Sequence, residues 1–166
     1  MKRIIIQGSS RSNGNTNKVV KLLMEELDFD FLDLATKNIG HFDYEFKNQN
    51  DDFIPIITQI ANEYDLIVFA TPVYWYSMSG VLKVFFDRIS DCLHSEKEIG
   101  RKLRKKNMAV ICCGSDKNEI ESFFIPFKKS AEYLGMNYLG NVHTWIEDDS
   151  IENEVKERIT KFVELL

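Results

Sequence analysis

Short apolar runs, each closed by small or polar residues, alternate along this chain with stretches whose apolar positions recur every three or four residues. Ile4 to Ile6 is β-branched, uninterrupted and closed by Gly8, the pattern of a strand buried on both faces. From Asn15, Val20, Leu23, Met24 and Leu27 keep helical spacing. Phe29 to Leu34 reads as a second strand, and 35–50 shows no period and reads as a loop. Asp52 stands where it can cap a helix carrying Phe53, Ile56, Ile57, Ile60 and Tyr64. Leu66 to Ala70 is the next buried strand, and Leu82, Phe85, Phe86, Ile89 and Leu93 mark a helix over 79–93. Met108 to Cys113 repeats the strand signal before Gly114-Ser115. Ile120, Phe123, Phe124, Phe127, Ala131 and Leu134 then keep helical spacing, with Pro126 starting or kinking that helix. Met136 to His143 predicts a fifth strand, and Ser150 or Asp149 is placed to cap a last helix bearing Ile151, Val155, Ile159 and Phe162.

Strand and helix thus alternate five times, which predicts an α/β fold with a parallel sheet covered on both faces. Right-handed crossovers prune the topologies further, and five units favour the doubly wound order 2-1-3-4-5, with a ligand crevice outside the strand ends where the winding reverses. At 166 residues the chain fits one domain, 1–166, without repeats or linkers.

Composition adds mostly exclusions. A formal charge of -5 argues against a nucleic-acid partner. One basic cluster, Arg101, Lys102, Arg104, Lys105 and Lys106, reads as a solvated helix end or loop before a buried strand; its alternative is attraction of an anionic nucleotide. Cys92, Cys112 and Cys113 offer neither a CxxC pair nor zinc spacing, so no metal site is expected. No apolar stretch approaches the roughly 18 residues of a membrane span, and Ile4 to Ile6 is too short for a signal segment. The expected location is the cytoplasm.

Two loops carry the candidate chemistry. Gly8-Ser9-Ser10-Arg11-Ser12-Asn13-Gly14-Asn15-Thr16 sets hydroxyls, amides and a guanidinium between a buried strand and a helix start, where backbone N–H groups and the helix dipole favour an anion. It fits neither GxxxxGK[ST] nor GxGxxG, so a monophosphate suits it better than a triphosphate or a Rossmann dinucleotide. Taken alone it also reads as a Ser/Asn-rich turn with a helix cap. The second loop, Thr71-Pro72-Val73-Tyr74-Trp75-Tyr76-Ser77-Met78-Ser79-Gly80, holds three consecutive aromatics at another strand end. Large aromatics on a loop call for a reason, and a flat heteroaromatic ligand is one.

With the helix Leu82-Lys83-Val84-Phe85-Phe86-Asp87-Arg88, these loops resemble the flavodoxin-like NAD(P)H-dependent FMN reductases, especially the branch of iron-sulfur flavoproteins and NAD(P)H:quinone reductases. The strand–helix order extends the resemblance over nearly the whole chain. It implies a flavodoxin-like three-layer sandwich, bound flavin mononucleotide (FMN), and NADH or NADPH as electron donor. Ser9, Ser10, Arg11, Asn13, Asn15 and Thr16 would then hold the FMN phosphate, Pro72, Val73, Tyr74, Trp75, Ser77 and Met78 would flank the ring, and Gly114 and Ser115 would supply the other wall. Relatives with iron-sulfur clusters carry a compact cysteine motif after the second strand; 35–50 has none, so no cluster is inferred. Homodimers or homotetramers are also implied, with Val81 and Val84 widening the apolar face of the helix over 79–93.

The resemblance implies an enzyme that passes electrons from NAD(P)H through FMN to a small acceptor: a quinone, a nitro or azo compound, or free flavin. A flavodoxin-type electron carrier shares the fold and cofactor, but Arg11 and the modest acidity favour the enzyme. A binding or regulatory protein is the third reading. No side chain is named as essential acid or base, because the cofactor performs the redox chemistry; Tyr74 or Tyr76 is the candidate proton donor. His143, near the end of the fifth strand, reads as a structural histidine, and the Cys112-Cys113 pair as small buried hydrophobes.

Overall fold

The computed structural model describes residues 1–118, 121–148 and 150–166, so the expectations placed on Ile120 and Asp149 lie outside the described residues. Five parallel strands, β1 (Arg3–Gln7), β2 (Asp30–Asp33), β3 (Leu66–Pro72), β4 (Asn107–Gly114) and β5 (Asn137–Trp145), form one sheet in the order β2-β1-β3-β4-β5. The helices are α1 (Asn15–Glu26), α2 (Phe53–Glu63), α3 (Gly80–Arg88), α4 (Asp91–His94), α5 (Lys97–Lys102), α6 (Ile125–Leu134) and α7 (Asn153–Val163).

Period two along the central strands builds two cores. Ile4, Ile6, Ile67, Phe69, Met108 and Val110 face one side and pack with Phe53, Ile57 and Ile60 of α2, Leu82 and Phe85 of α3, and Phe127 and Ala131 of α6. Ile5, Val68, Ala109 and Ile111 face the other and meet Val19, Val20 and Leu23 of α1 with Val155, Ile159 and Phe162 of α7. This is the doubly wound sheet expected from the alternation and the flavodoxin-like sandwich implied by the loop resemblance. Every crossover returns the chain to the same edge, so the loops after β1, β3 and β4 meet at the carboxyl ends of the strands.

Several local expectations are corrected. Phe29 is buried just ahead of β2, and Leu34 opens a 3₁₀ turn, Leu34–Thr36. Met24 is 37% exposed and Leu27 ends α1, because the buried stripe runs through Thr16, Val19, Val20 and Leu23 instead. Asp52 does not cap α2 with its side chain; its carboxylate accepts from the Asn38 N–H, while Asp51 Oδ1 accepts from the Phe53 N–H. The predicted helix over 79–93 divides into α3 and α4, the second ending at His94. Pro126 stands in the first turn of α6, after a 3₁₀ turn at Glu121–Phe124. β5 runs two residues further than expected, to Trp145. Ser150 does not cap α7, which begins after Glu152; its hydroxyl bonds instead to the Glu147 carbonyl.

The aperiodic stretch 35–50 is gathered by one buried cation. Arg88, 1% exposed at the end of α3, donates to the carbonyls of Gly40 and Asn48 and pairs with Asp51 and Asp91. Burial opposes ionisation of Asp51, but the Arg88 guanidinium and the N–H groups of Phe53 and Gly40 outweigh it and hold the carboxyl below its ordinary value.

Candidate functional site

The loop after β1 is shaped from beneath. Gln7, fully buried at the end of β1, donates from Nε2 to the Ser12 carbonyl (3.1 Å), and Asn17 Nδ2 donates to Gln7 Oε1 (3.2 Å). The Arg11 N–H donates to Ser9 Oγ at 3.3 Å. These bonds fold 8–14 back over the start of α1. Gly14 stands at the N-cap and supplies no capping side chain, and the first turn of α1 carries no acidic residue. The N–H groups of that turn therefore keep their attraction for an anion.

Ser79 ties this loop to the next. Its hydroxyl donates to the Gly8 carbonyl (2.7 Å) and accepts from the Leu82 N–H (3.1 Å), while its own N–H donates to Thr71 Oγ1 (3.1 Å). Gly8 must be glycine for this approach, since a Cβ there would lie 2.5 Å from the Leu82 Cβ. Between Thr71 and Ser79 the chain makes a tight hairpin: the Tyr74 N–H donates to the Ser77 carbonyl (2.9 Å) and the Ser77 N–H to the Tyr74 carbonyl (3.0 Å). Its central residues, Trp75 and Tyr76, have φ of 48° and 61°. Both central residues of a type I′ turn need positive φ, which favours Asn-Gly there. Two aromatics in that conformation cost roughly 1–2 kcal/mol each, and strain of this kind clusters at ligand clamps. Trp75 is nonetheless 94% exposed.

A third segment, Gly114 to Asn118 after β4, completes the concavity. Ser9, Arg11, Gly14, Asn15, Thr16, Pro72, Val73, Tyr74, Cys113, Gly114 and Ser115 line a cleft of about 210 Å³. It continues past Val73, Gly114 and Ser115 into a wider cleft of about 480 Å³, bounded by Trp75, Tyr76, Asp116, Asn118 and His143. Clefts of roughly 300–1,000 Å³ suit small molecules and cofactors. The smaller end is polar and carries the Arg11 guanidinium; the larger has aromatic rings on one side. Burial pushes the Cys113 thiol up to about 11, so it lines the cleft as a neutral group. The Asn118 N–H, hydrogen-bonded to Asp116, holds that carboxyl below its ordinary value.

Of the residues expected from sequence, Ser9, Arg11, Asn15, Thr16, Pro72, Val73, Tyr74, Trp75, Gly114 and Ser115 line this continuous cleft. Ser10 stands at its rim, its hydroxyl 3.2 Å from the Tyr74 hydroxyl. Asn13 and Ser77 are exposed and do not line it, and Met78 is 7% exposed within the core. The additions are Gly14, Cys113, Asp116, Asn118 and His143, together with Tyr76, which sequence offered only as a proton donor. Gly14 carries no chemistry of its own, and Asp116 and Asn118 arrive through the strand-end position of β4.

The sequence pattern of the NADPH-dependent FMN reductase family matches residues 1–149. The chain belongs to that family. It is an oxidoreductase family whose cofactor is FMN, as the loop resemblance implied. A Bacillus subtilis protein, YwqN, whose name describes an NAD(P)H-dependent FMN-containing oxidoreductase, is 30% identical over 152 residues, which cover 86% of this chain and 83% of that one. The solved Trp repressor binding protein of Bacillus subtilis superposes with a TM-score of 0.78 at 25% identity, over 99% of this chain and 97% of the other. General stress protein 14 of Treponema denticola, solved in complex with FMN, shares the fold with a TM-score of 0.71 at 16% identity, over 99% and 97% of the two chains. Among the described residues no helix is long and apolar enough to cross a membrane.

Proposed function

We propose that this chain is a cytoplasmic NAD(P)H-dependent oxidoreductase that reduces a small planar acceptor of the quinone, nitro, azo or free-flavin class, with FMN held across the two joined clefts. The observation that carries this reading is the pairing of an uncapped helix start beside Arg11 with an aromatic hairpin one strand away, at the point where the sheet's winding reverses. The donors fit a monophosphate, and the wider cleft fits a flat ring. When bound, FMN supplies the hydride and electron transfer.

The protein's own part is binding and orientation. Ser9, Arg11, Asn15, Thr16 and the first-turn N–H groups of α1 offer hydrogen bonds to phosphate oxygens. Pro72, Val73, Tyr74 and Trp75 border the ring on one side, Gly114 and Ser115 on the other. Tyr74 and Tyr76, which border the clefts, are the candidate proton donors to a reduced acceptor. Self-association belongs to the same reading: Val81, Val84 and Phe86 of α3 are only half-buried and Leu93 is exposed, which suits a homodimer or homotetramer.

Anaerobic titration tests the proposal directly. The protein saturated with FMN should bleach its flavin absorbance on adding NADH or NADPH and recover it on adding a quinone or azo dye. Flavin that binds but resists bleaching would support the electron-carrier reading instead, and a chain that takes up no FMN would support neither.

A further inference from the structure

His143 is a buried polar side chain with no part in the proposed binding of FMN. It is 4% exposed, yet its ring borders the wider cleft. Nε2 lies 2.9 Å from the Asp116 carbonyl oxygen, and Nδ1 lies 3.4 Å from Cys112 Sγ on the neighbouring strand, where Cys112 and His143 are register partners. A carbonyl oxygen can only accept, so Nε2 carries the proton. In the neutral ring Nδ1 is then an acceptor, and the Cys112 thiol is the donor that faces it. The tautomer is thus set from both sides. The ring also stacks on Trp145, with centroids 6.1 Å apart and planes at 22°.

This ring is placed to hold the β4 wall. A Cβ on Gly114 would stand 2.8 Å from His143 Cε1, so the wall approaches the imidazole as closely as glycine allows. Two residues on, the same segment is held through the Asp116 carbonyl. Beyond Gly114 the segment is exposed, and its bonds among Ser115, Asp116 and Asn118 are internal to it. From the neighbouring strand β5 the His143 side chain donates to this segment at Asp116, while on β4 itself the Cys113 thiol reaches only the adjoining Gly114 carbonyl, at 3.8 Å.

We infer that His143 is a positioning residue of the ring site: its Nε2–H fixes the Gly114–Asn118 segment at the spacing a planar ligand needs opposite Trp75 and Tyr76. The inference rests on the FMN reading for the ligand, but not for the contact itself. Losing the contact should loosen the ring end of the cleft and leave the phosphate end intact. FMN and riboflavin, which share the ring and differ by the phosphate, separate the two ends.

The test uses His143→Leu, which removes the donor, and His143→Gln, whose side-chain amide restores one near the Nε2 position. The Leu variant should weaken FMN and riboflavin by a similar factor, about tenfold, and shift the bound flavin's visible spectrum, with the Gln variant returning towards the parent. Amide hydrogen exchange on the unliganded chain reads the wall without any flavin: exchange at 115–118 should quicken in the Leu variant and slow again in the Gln variant, while the core of β4 is unchanged. Unaltered exchange at 115–118, or a Gln variant no better than Leu, overturns the positioning role. A parent protein that binds neither flavin overturns the FMN reading, and the exchange result still decides the contact. General loss of protection across β4 and β5 would show that His143 only stabilises the fold.

Discussion

Two helices begin at the same edge of the sheet, one strand apart, and they treat their first turns in opposite ways. α3 starts with Ser79, whose hydroxyl accepts from the Leu82 N–H and also binds the Gly8 carbonyl, so its first turn is served from within the protein. α1 starts with Gly14, which offers no side chain, beside Ser9, Arg11, Asn15 and Thr16 on an open cleft. An isolated domain with no anion to bind would gain from a cap at both positions. The helix that lacks one is where a charged ligand belongs, and the capped helix serves as the frame that holds the loops in register.

Exchanging the properties of the two ends tests that contrast. The largest effect is expected at the capped end: Ser79→Ala removes the cap and leaves the buried Gly8 carbonyl without its hydroxyl donor, a loss of about 2–4 kcal/mol in urea unfolding. A change under about 0.5 kcal/mol would mean that Ser79 does not tie the two loops. At the open end Arg11→Ala should barely alter unfolding but should weaken FMN about tenfold to a hundredfold, a loss of roughly 1.5–3 kcal/mol. Riboflavin affinity should hardly move, and an equal loss of both flavins would place Arg11 away from the phosphate. Gly14→Asp converts α1 to the capped kind; a Cβ there meets Arg11 Cβ at 3.4 Å, an ordinary contact. The variant should unfold about 0.5–1 kcal/mol later than the parent, yet bind FMN about five- to tenfold more weakly, because a carboxylate occupies the anion's place. Tighter FMN binding would contradict the anion assignment. The smallest effect is expected at Trp75→Gly, which relieves the left-handed strain and removes an exposed ring. Stability should rise by about 0.5–1 kcal/mol while the bound flavin's spectrum shifts. Destabilisation by several kcal/mol would show that Trp75 packs as a core residue.

The sheet was legible because its signal is local. Ile4 to Ile6, Leu66 to Ala70 and Met108 to Cys113 announce strands buried on both faces without reference to anything distant, and the five-fold alternation then limits the topology. The two cleft loops were legible for a related reason, since each is a contiguous run at a strand end. What stayed hidden depends on contacts between distant residues. Nothing in 35–50 shows that Arg88 will draw the carbonyls of Gly40 and Asn48 together, and no glycine or proline marks the break between α3 and α4. Met78 was read as a ring contact because it follows the aromatics, but the Tyr74–Ser77 hairpin turns the chain back and sends Met78 into the core. His143 looked structural because its partners, Cys112 and the Asp116 carbonyl, become neighbours only when β4 and β5 pair.

The outer strands carry a consequence for how the molecule behaves in a crowded solution. β2 is only four residues long and bears acidic side chains at both ends, Asp30 and Asp33. β5 is nine residues long, but its register against β4 slips between Met108 and Ala109, where Leu139 is the extra residue, and the next position, Gly140, lies against the side chain of Leu165. A strand that is short and charged, or long but interrupted by a bulge, is a poor template for further backbone pairing. Straightening β5 by deleting Leu139 would present a flat row of unpaired amides and carbonyls, and the expected outcome is edge-to-edge aggregation of chains whose ligand cleft is still correctly built.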